Sequence, residues 1–531
     1  NRNADADVIL FSGVSTIVLT EELPVVTGAV TVDGGTEGVV IRTGEGVNAA
    51  NPRRIFTFDR REDSPYRPYE VELVRLTLAG GHAELGGAVY NKLTVGKMTL
   101  TDCLFTGNRA EKEGGAVWSS CHTEIGGCTF EENESAYLAG AVSLYYPELV
   151  PLYESEIKNS VFRANKAGYG GAVFVSALRY HMLHISDCLF FGNEAENAGG
   201  AVHGGNVTIR NSTFAGNYAK QNGGAVRSLS NENSDRSCIL VNTTFTGNRA
   251  DRNGGAVCTV SDTGPLDAYN RTAILYCTFV SNEAGGNGGA LYAEGIHALN
   301  SIFTGNSGRT AESSNIFIYN PILSMSYCAT DGGVVYVDGL SSIGDQFVVV
   351  PPPSSGNVTA TVHDVFGVDA PQLTDNHVIE ISNNASVAHG GRVAGILHTD
   401  DVYFDPYLYY MDAGKWKPIN AYQSEREDDI VLVDTDKSGN VRPENCISMG
   451  AWQYQSPDAV RLPDESDVEI LAGGSMLTVR TGQPVGLEVY DAGGRTALRR
   501  NIPEGATAIP LPPGIYIVKA GGKVAKVVLK R

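Results

Sequence analysis

A two-part motif recurs through the middle of this chain, and its spacing limits what can form there. The unit Gly-Gly-Ala-Val stands at Gly86–Val89, Gly114–Val117, Gly170–Val173, Gly199–Val202, Gly223–Val226 and Gly254–Val257, with variants at Ala139–Val142 and Gly288–Leu291. Phe-x-x-Asn interleaves with it, at Phe105/Asn108, Phe130/Asn133, Phe162/Asn165, Phe190/Asn193, Phe214/Asn217, Phe245/Asn248, Phe279/Asn282 and Phe303/Asn306. The phenylalanines are 25, 32, 28, 24, 31, 34 and 24 residues apart, whereas the distance from Asn to the second Gly stays at six or seven. One constant and one elastic stretch per repeat predict a rigid turn and a tolerant loop.

The segments between these units are short and alternating, as in Val207-Thr208-Ile209-Arg210, and they read as strands rather than helices. A repeat of this size cannot bury its own apolar face, and stacking copies does so. The predicted fold is all-β: a right-handed parallel β-helix (a pectate-lyase-like solenoid), one repeat per coil, followed by a small C-terminal β-sandwich. Each repeated residue then has a task. Phe points inward and stacks on the Phe of the next coil. Asn sits at the turn, where a left-handed backbone is tolerated, and its amide bonds the Asn one coil on. The Gly pair makes a turn too tight for a Cβ. Two positions before each Phe stand Cys103, Cys128, Ser160, Cys188, Ser212, Thr243, Cys277 and Ser301, a column of small side chains read as core filler. Adjacent coils bring Cys103 and Cys128 within reach of a disulfide, although stacked parallel strands aim such pairs poorly.

Composition narrows the partners. There are 60 acidic and 40 basic side chains, and 40 − 60 gives −20, which argues against a nucleic-acid groove and against an anionic membrane surface. No apolar run is long enough for a transmembrane helix. Nine cysteines without a C-x-x-C pair favour neither a complete disulfide framework nor a zinc site. The polar start, Asn1 to Asp7, is expected in an exported protein whose signal peptide has been removed.

The domain boundaries follow from these patterns. Residues 1–455 form the β-helix, with a less regular segment, inserted or capping, at 341–430. Residues 456–467 read as a linker, and 468–531 as the small β-sandwich, with Gly-Gly turns between short strands.

The pairing of Gly-Gly-Ala-(Val/Leu) with Phe-x-x-Asn resembles the repeats of chlamydial polymorphic outer membrane proteins. The opening, from Asp7–Phe11 through Thr16–Thr20 to Thr31–Gly35, and the closing Asp434–Arg442 and Met449–Tyr454 resemble β-helix surface proteins with a choice-of-anchor domain. Leu487–Arg495, Leu511–Val518 and Lys526–Arg531 resemble C-terminal sorting domains of Bacteroidetes secretion systems. The resemblance implies an extracellular or cell-surface, outer-membrane-associated protein, adhesin-like, binding a glycan or a host or matrix surface without catalysis.

Candidate chemistry is sparse. After Gly-Gly-Ala-Val, His203 and Arg227 fall on consecutive coils and read either as ordinary solvated strand positions or, facing solvent together, as a base and a clamp. No carboxylate column joins them in sequence. A carbohydrate-active lyase or hydrolase is therefore the alternative reading, and a passive surface spacer a third. Asp434-x-Asp436-x-Ser438 matches the first half of a calcium loop; calcium is the one cofactor the sequence raises, and none is required. Tyr403, Tyr407 and Tyr409, with Trp416 nearby, form the densest aromatic stretch, suited to stacking on sugar rings or to capping the rod. The histidines His82, His181, His184, His297, His377 and His398 are scattered and read as structural or solvated. A monomer is expected.

Overall fold

The computed structural model describes residues 7–59, 68–93, 96–146, 153–176, 181–229, 238–259, 271–311 and 314–326, isolated strands between 329 and 435, and most of 468–529. Two compact units divide the chain, Asn1–Tyr454 and Gln455–Arg531. No described residue is helical, so no described helix could cross a membrane; strands of a β-barrel are a separate matter.

The first unit is a right-handed parallel β-helix. Each complete coil makes four strands on three sheets. The coil containing Trp118 shows the pattern: Val117–Ser119 and His122–Gly126 on the first sheet, Thr129–Glu131 on the second and Glu134–Ser135 on the third. Every described pairing between named strands of these sheets is parallel, as in Leu104–Thr106 on Thr129–Glu131 and Val161–Arg163 on the next coil.

Inside, the expected columns form. Phe105, Phe130, Phe162, Phe190, Phe214, Phe245, Phe279 and Phe303 are fully buried, and successive rings lie 4.6–5.0 Å apart and within 14° of parallel. The separation equals the spacing between neighbouring strands, so backbone pairing and ring stacking are met by one geometry. Asn108 Nδ2 donates to Asn133 Oδ1 at 3.0 Å, and the same bond runs on through Asn165 and Asn193 to Asn217. Asn217 donates to Asn248, Asn248 to Asn282 and Asn282 to Asn306, each at 2.9 Å. Asn306 ends the ladder by donating to Asn315 Oδ1 at 2.8 Å. The second amide hydrogen bonds the carbonyl of the preceding coil's Phe, as from Asn133 to Phe105 at 2.9 Å and from Asn248 to Phe214 at 2.9 Å. From Asn133 to Asn306, each carboxamide oxygen also accepts the backbone N–H of the ladder Asn before it, as from Asn108 N to Asn133 Oδ1 at 3.1 Å. A ladder of buried amides is thereby satisfied on every side.

Two expectations are corrected. The ladder asparagines Asn108, Asn133, Asn165, Asn193, Asn217, Asn248, Asn282 and Asn306 are not the left-handed residues. That conformation belongs to the residue before each: Gly107, Glu132, Ala164, Gly192, Gly216, Gly247, Ser281 and Gly305, with φ between 51° and 61°. The Asn is free of that strain and aims its amide along the helix axis. The small column is also more than filler. The Cys128 amide donates to Ser160 Oγ at 3.1 Å, Cys188 to Ser212 Oγ at 3.1 Å and Cys277 to Ser301 Oγ at 3.0 Å. This second ladder follows its own left-handed residue, such as Asn159, Asp187 or Asn211. Cys103 and Cys128 are free thiols in this arrangement, with the Cys103 amide 3.4 Å from Cys128 Sγ.

The Gly pair divides its work. The first glycine has positive φ, and Ala139 holds that conformation at φ 55° in one coil. The second glycine has no room: a Cβ at Gly200 would lie 1.9 Å from the Gly224 carbonyl oxygen, and one at Gly115 2.0 Å from that of Gly140.

After the coils the topology changes. Val358–Asp364 pairs antiparallel with His377–Asn383, and Ala394–Leu397, Leu408–Asp412, Lys415–Pro418 and Ile430–Leu432 make a four-stranded antiparallel sheet. The segment at 341–430 is therefore built of antiparallel strands where the structure describes it. The second unit is a β-sandwich of two antiparallel sheets, three strands on four, around Leu477, Val479, Leu487, Val489, Ile509 and Val518. Thr496–Ile502 adds a strand that Arg499 and Arg500 obscure in the sequence.

Two substitutions test this account of the glycine turn by urea denaturation, and a third tests the ladder. Gly200→Ala should destabilise by more than about 3 kcal/mol through overpacking against backbone that cannot move aside, whereas Ala139→Gly should be neutral or stabilise by up to about 1 kcal/mol by relieving a left-handed alanine. Asn193→Leu strands the Asn165 donors and the Phe162 carbonyl, at about 1–3 kcal/mol each, so a loss above about 3 kcal/mol is expected.

Candidate functional site: the variable corner

The elastic part of the repeat falls at one place. From the first sheet to the second, each coil from Thr101 to Ile302 spends two residues, and from the second to the third also two. Those two turns carry the ladders, which fix their length. Between the two strands of the first sheet the connection instead holds 10, 4, 2, 8, 5, 2, 9 and 11 residues in successive coils, counted from Phe58 to Arg271. In the next coil the two strands fuse into Leu291–Leu299. Among the described residues no side-chain ladder runs from coil to coil along this corner, and its length varies.

Beside the corner runs an outward column in register: Tyr90, Trp118, Ser143, Phe174, His203, Arg227, Cys258, Tyr292 and Phe317. Its first members form a stack. The Arg54 guanidinium lies 4.7 Å from the Tyr90 ring centre, Tyr90 is 5.0 Å from Trp118, and Trp118 is 5.8 Å from Tyr145. Trp118 Nε1 donates to Glu113 Oε2 at 2.9 Å, which fixes the indole. Tyr145 closes the stack with 46% of its surface exposed. Tyr137, 55% exposed, comes from the other side of the same Ala139-Gly140 turn and packs edge-on against Tyr169 at 5.7 Å. The two sides of the Ala139-Gly140 turn thus present two exposed tyrosines, and their rings continue into less exposed neighbours that hold them.

His203 and Arg227 are indeed register partners, but they do not face solvent together: each keeps 4% of its surface exposed. His203 lies between Phe174 at 5.7 Å and Tyr169 at 5.2 Å, and its Nδ1 finds no partner among the described residues. Burial first, and Arg227 second, push the imidazole pKa down to about 3, so the ring is neutral. Arg227 Nη1 donates to the Ser228 carbonyl at 3.2 Å. A base-and-clamp pair needs contact with substrate, and this pair is packed instead.

A carboxylate column does exist, one strand further on. Glu72, Thr99, Glu124, Glu156, His184 and Thr208 are register neighbours. Lys97 meets Glu124 at 2.7 Å, His122 meets it at 3.0 Å, and Lys158 meets Glu156 at 2.9 Å. Burial raises the Glu124 carboxyl, but Lys97 and His122 outweigh it and hold it below the usual range. Glu124 is a counter-ion, the opposite of the raised-pKa acid that protonates a leaving group in glycoside hydrolysis.

The other sequence candidates lie elsewhere. Tyr409 is in Leu408–Asp412 and Trp416 in the adjacent antiparallel strand Lys415–Pro418, where Trp416 pairs with Met411. Tyr403, Tyr407, Asp434, Asp436 and Ser438 lie outside the described residues. Thr435, between the two aspartates, accepts a 2.8 Å hydrogen bond at its carbonyl from Asn242 Nδ2. The chain after the coils therefore returns to the later ones. There the outward Ile239, Val241, Leu275, Leu299, Thr244 and Thr278 are all buried. The signal was legible: Cys238-Ile-Leu-Val241 is apolar on both faces, as in a strand covered on both sides.

Comparison with known families agrees with this geometry. Residues 83–214 match the family described as right handed beta helix region, and residues 242–260 and 276–294 match the Chlamydia polymorphic membrane protein repeat. Each of the latter spans a ladder turn, the Phe and Asn of one coil and the glycine turn that follows. No curated protein matches the chain. Fold and repeats together support a right-handed parallel β-helix of the polymorphic-membrane-protein type.

The buried histidine gives a pH prediction. An unfolded His binds a proton near pH 6.5, whereas His203 in the fold does so only near 3. Its contribution to stability is thus complete above pH 6.5 and lost as pH falls toward 3, at about 1.4 kcal/mol per unit. Urea midpoints between pH 7 and 4 should fall more steeply for the natural protein than for His203→Phe.

Proposed function

We propose that this chain is a surface-exposed, adhesin-like β-helix protein that recognises a glycan on a host or matrix surface through its variable corner and the glycine turn beside it, without catalysis. The observation that carries the reading is the confinement of length variation to one corner, beside a stack of outward aromatic rings. In solenoids, insertions gathered on one face commonly mark the binding face. Tyr137 and Tyr145 supply flat apolar surfaces with hydroxyl rims, which suit a pyranose face, and Glu113 stands beside them as a hydrogen-bond acceptor. The polymorphic-membrane-protein repeat supports an outer-membrane or extracellular setting, as does the resemblance of the tail to sorting domains. The acidic charge of −20 supports solubility outside the cell and disfavours nucleic acid.

Affinity electrophoresis through gels containing a panel of plant and host polysaccharides tests this. Retardation by at least one polysaccharide is expected, without clearing of the gel around the band. The double substitution Tyr137→Ala, Tyr145→Ala should weaken that binding about thirtyfold, at roughly 1 kcal/mol per stacked ring, and leave the melting temperature unchanged. Clearing of the gel would instead show an enzyme, and retention undiminished in the double variant would place the site elsewhere.

A further inference from the structure

The charges around Tyr137 and Tyr145 decide which class of glycan this surface takes. Glu113 stands between the two sides of the turn. In register it bridges to Leu138, the residue after Tyr137. On the other side it holds Trp118, whose indole lies 5.8 Å from the Tyr145 ring. Its two hydrogen bonds both end on Oε2, from Trp118 Nε1 at 2.9 Å and from Ser143 Oγ at 3.4 Å. Among the described residues Oε1 accepts no hydrogen bond, and no cation pairs with this carboxylate.

The cations nearby are engaged elsewhere. Every lysine and arginine described between His82 and Tyr169 is in an ion pair: Lys92 with Asp59, Lys97 with Glu124, Arg109 with Glu134, Lys112 with Glu84, Lys158 with Glu156, Arg163 with Glu131 and Lys166 with Glu194. His82 meets Glu111 at 2.5 Å. Arg54, under Tyr90, gives its guanidinium to the Leu85 and Gly86 carbonyls and to Thr57 Oγ1. Recruiting one of the paired cations for an anion on a ligand would strand the carboxylate it already serves. The connection after Tyr145, residues 147–152, adds Glu148 and no lysine or arginine.

We infer that this surface selects uncharged polysaccharides and rejects chains that carry carboxylate or sulfate groups. An ionised carboxylate only accepts hydrogen bonds. Ring hydroxyls donate to Glu113 Oε1 in charge-assisted bonds while a sugar face lies on Tyr137 or Tyr145. A uronate or sulfate in the same place meets Glu113 with like charge and finds no free cation, so the discrimination comes from repulsion as well as attraction. The inference rests on the glycan reading of this surface and adds the ligand class.

The test is affinity electrophoresis of the full 531-residue chain in gels holding matched polymers. The pairs are hydroxyethyl cellulose with carboxymethyl cellulose, methyl-esterified with de-esterified pectin, and dextran with dextran sulfate. At least one uncharged member should bind ten times more tightly than its charged counterpart. Glu113→Gln keeps an oxygen for the Trp118 indole and should narrow that ratio at least threefold with the melting temperature unchanged. Glu283→Gln removes the same charge from an exposed position on a distant coil and should leave the ratio as it was. Binding of a charged polymer as tightly as its uncharged partner would overturn the ligand class and leave the glycan reading standing. So would a ratio that Glu113→Gln does not change, or that Glu283→Gln changes equally. Retardation by none of the six polymers would overturn the ligand class together with the glycan reading.

Discussion

The coils from Asn108 to Asn306 depend on the column of asparagine amides. A buried amide left without partners costs about 1–3 kcal/mol, so a polar group in every coil would be ruinous unless each is fully satisfied. Stacking satisfies them: each side chain donates to the next Asn and to a Phe carbonyl, and accepts from its predecessor. The arrangement works only when successive coils sit one strand spacing apart and in register. A coil that slips loses its amide bonds, its ring stack and its small-residue ladder together.

Those ladders also explain where the protein could vary. Two of the turns are held at two residues because each must place one left-handed residue and one inward polar side chain. The glycine turn is held by the close approach of stacked backbones. Among the described residues the remaining corner carries no such column, and connections there reach 11 residues while the coils on either side keep their register. Loop closure grows only slowly with length, so the helix tolerates this variation at little cost in stability.

Charge follows the same geometry on the outside. Along the third sheet the register column reads Arg109, Glu134, Lys166, Glu194, Tyr218, Arg249 and Glu283. Such exposed pairs add little stability, typically below about 1 kcal/mol. Their alternation nonetheless disfavours a slipped coil, which would bring like charges together.

The fold of the repeats is legible in the chain's residues alone: the spacing of Phe105, Asn108 and Gly115, copied from coil to coil, requires a solenoid, because each inward column must stack on itself. The same residues show that one stretch per repeat is elastic and that the chain changes character after the coils. They do not reveal which residue of a turn is left-handed. Gly216 and Gly247 precede Asn217 and Asn248, but Ser281 precedes Asn282, and glutamate and alanine serve at that position elsewhere. Nor do they reveal the columns made by the outward residues of different strands. Trp118 and Tyr145 lie 27 residues apart, and Glu124 and Glu156 32 apart, across connections of unequal length. Only the tertiary structure sets them side by side. It alone decided that His203 and Arg227 are buried, because exposure depends on what packs over a strand and not on which face the strand presents.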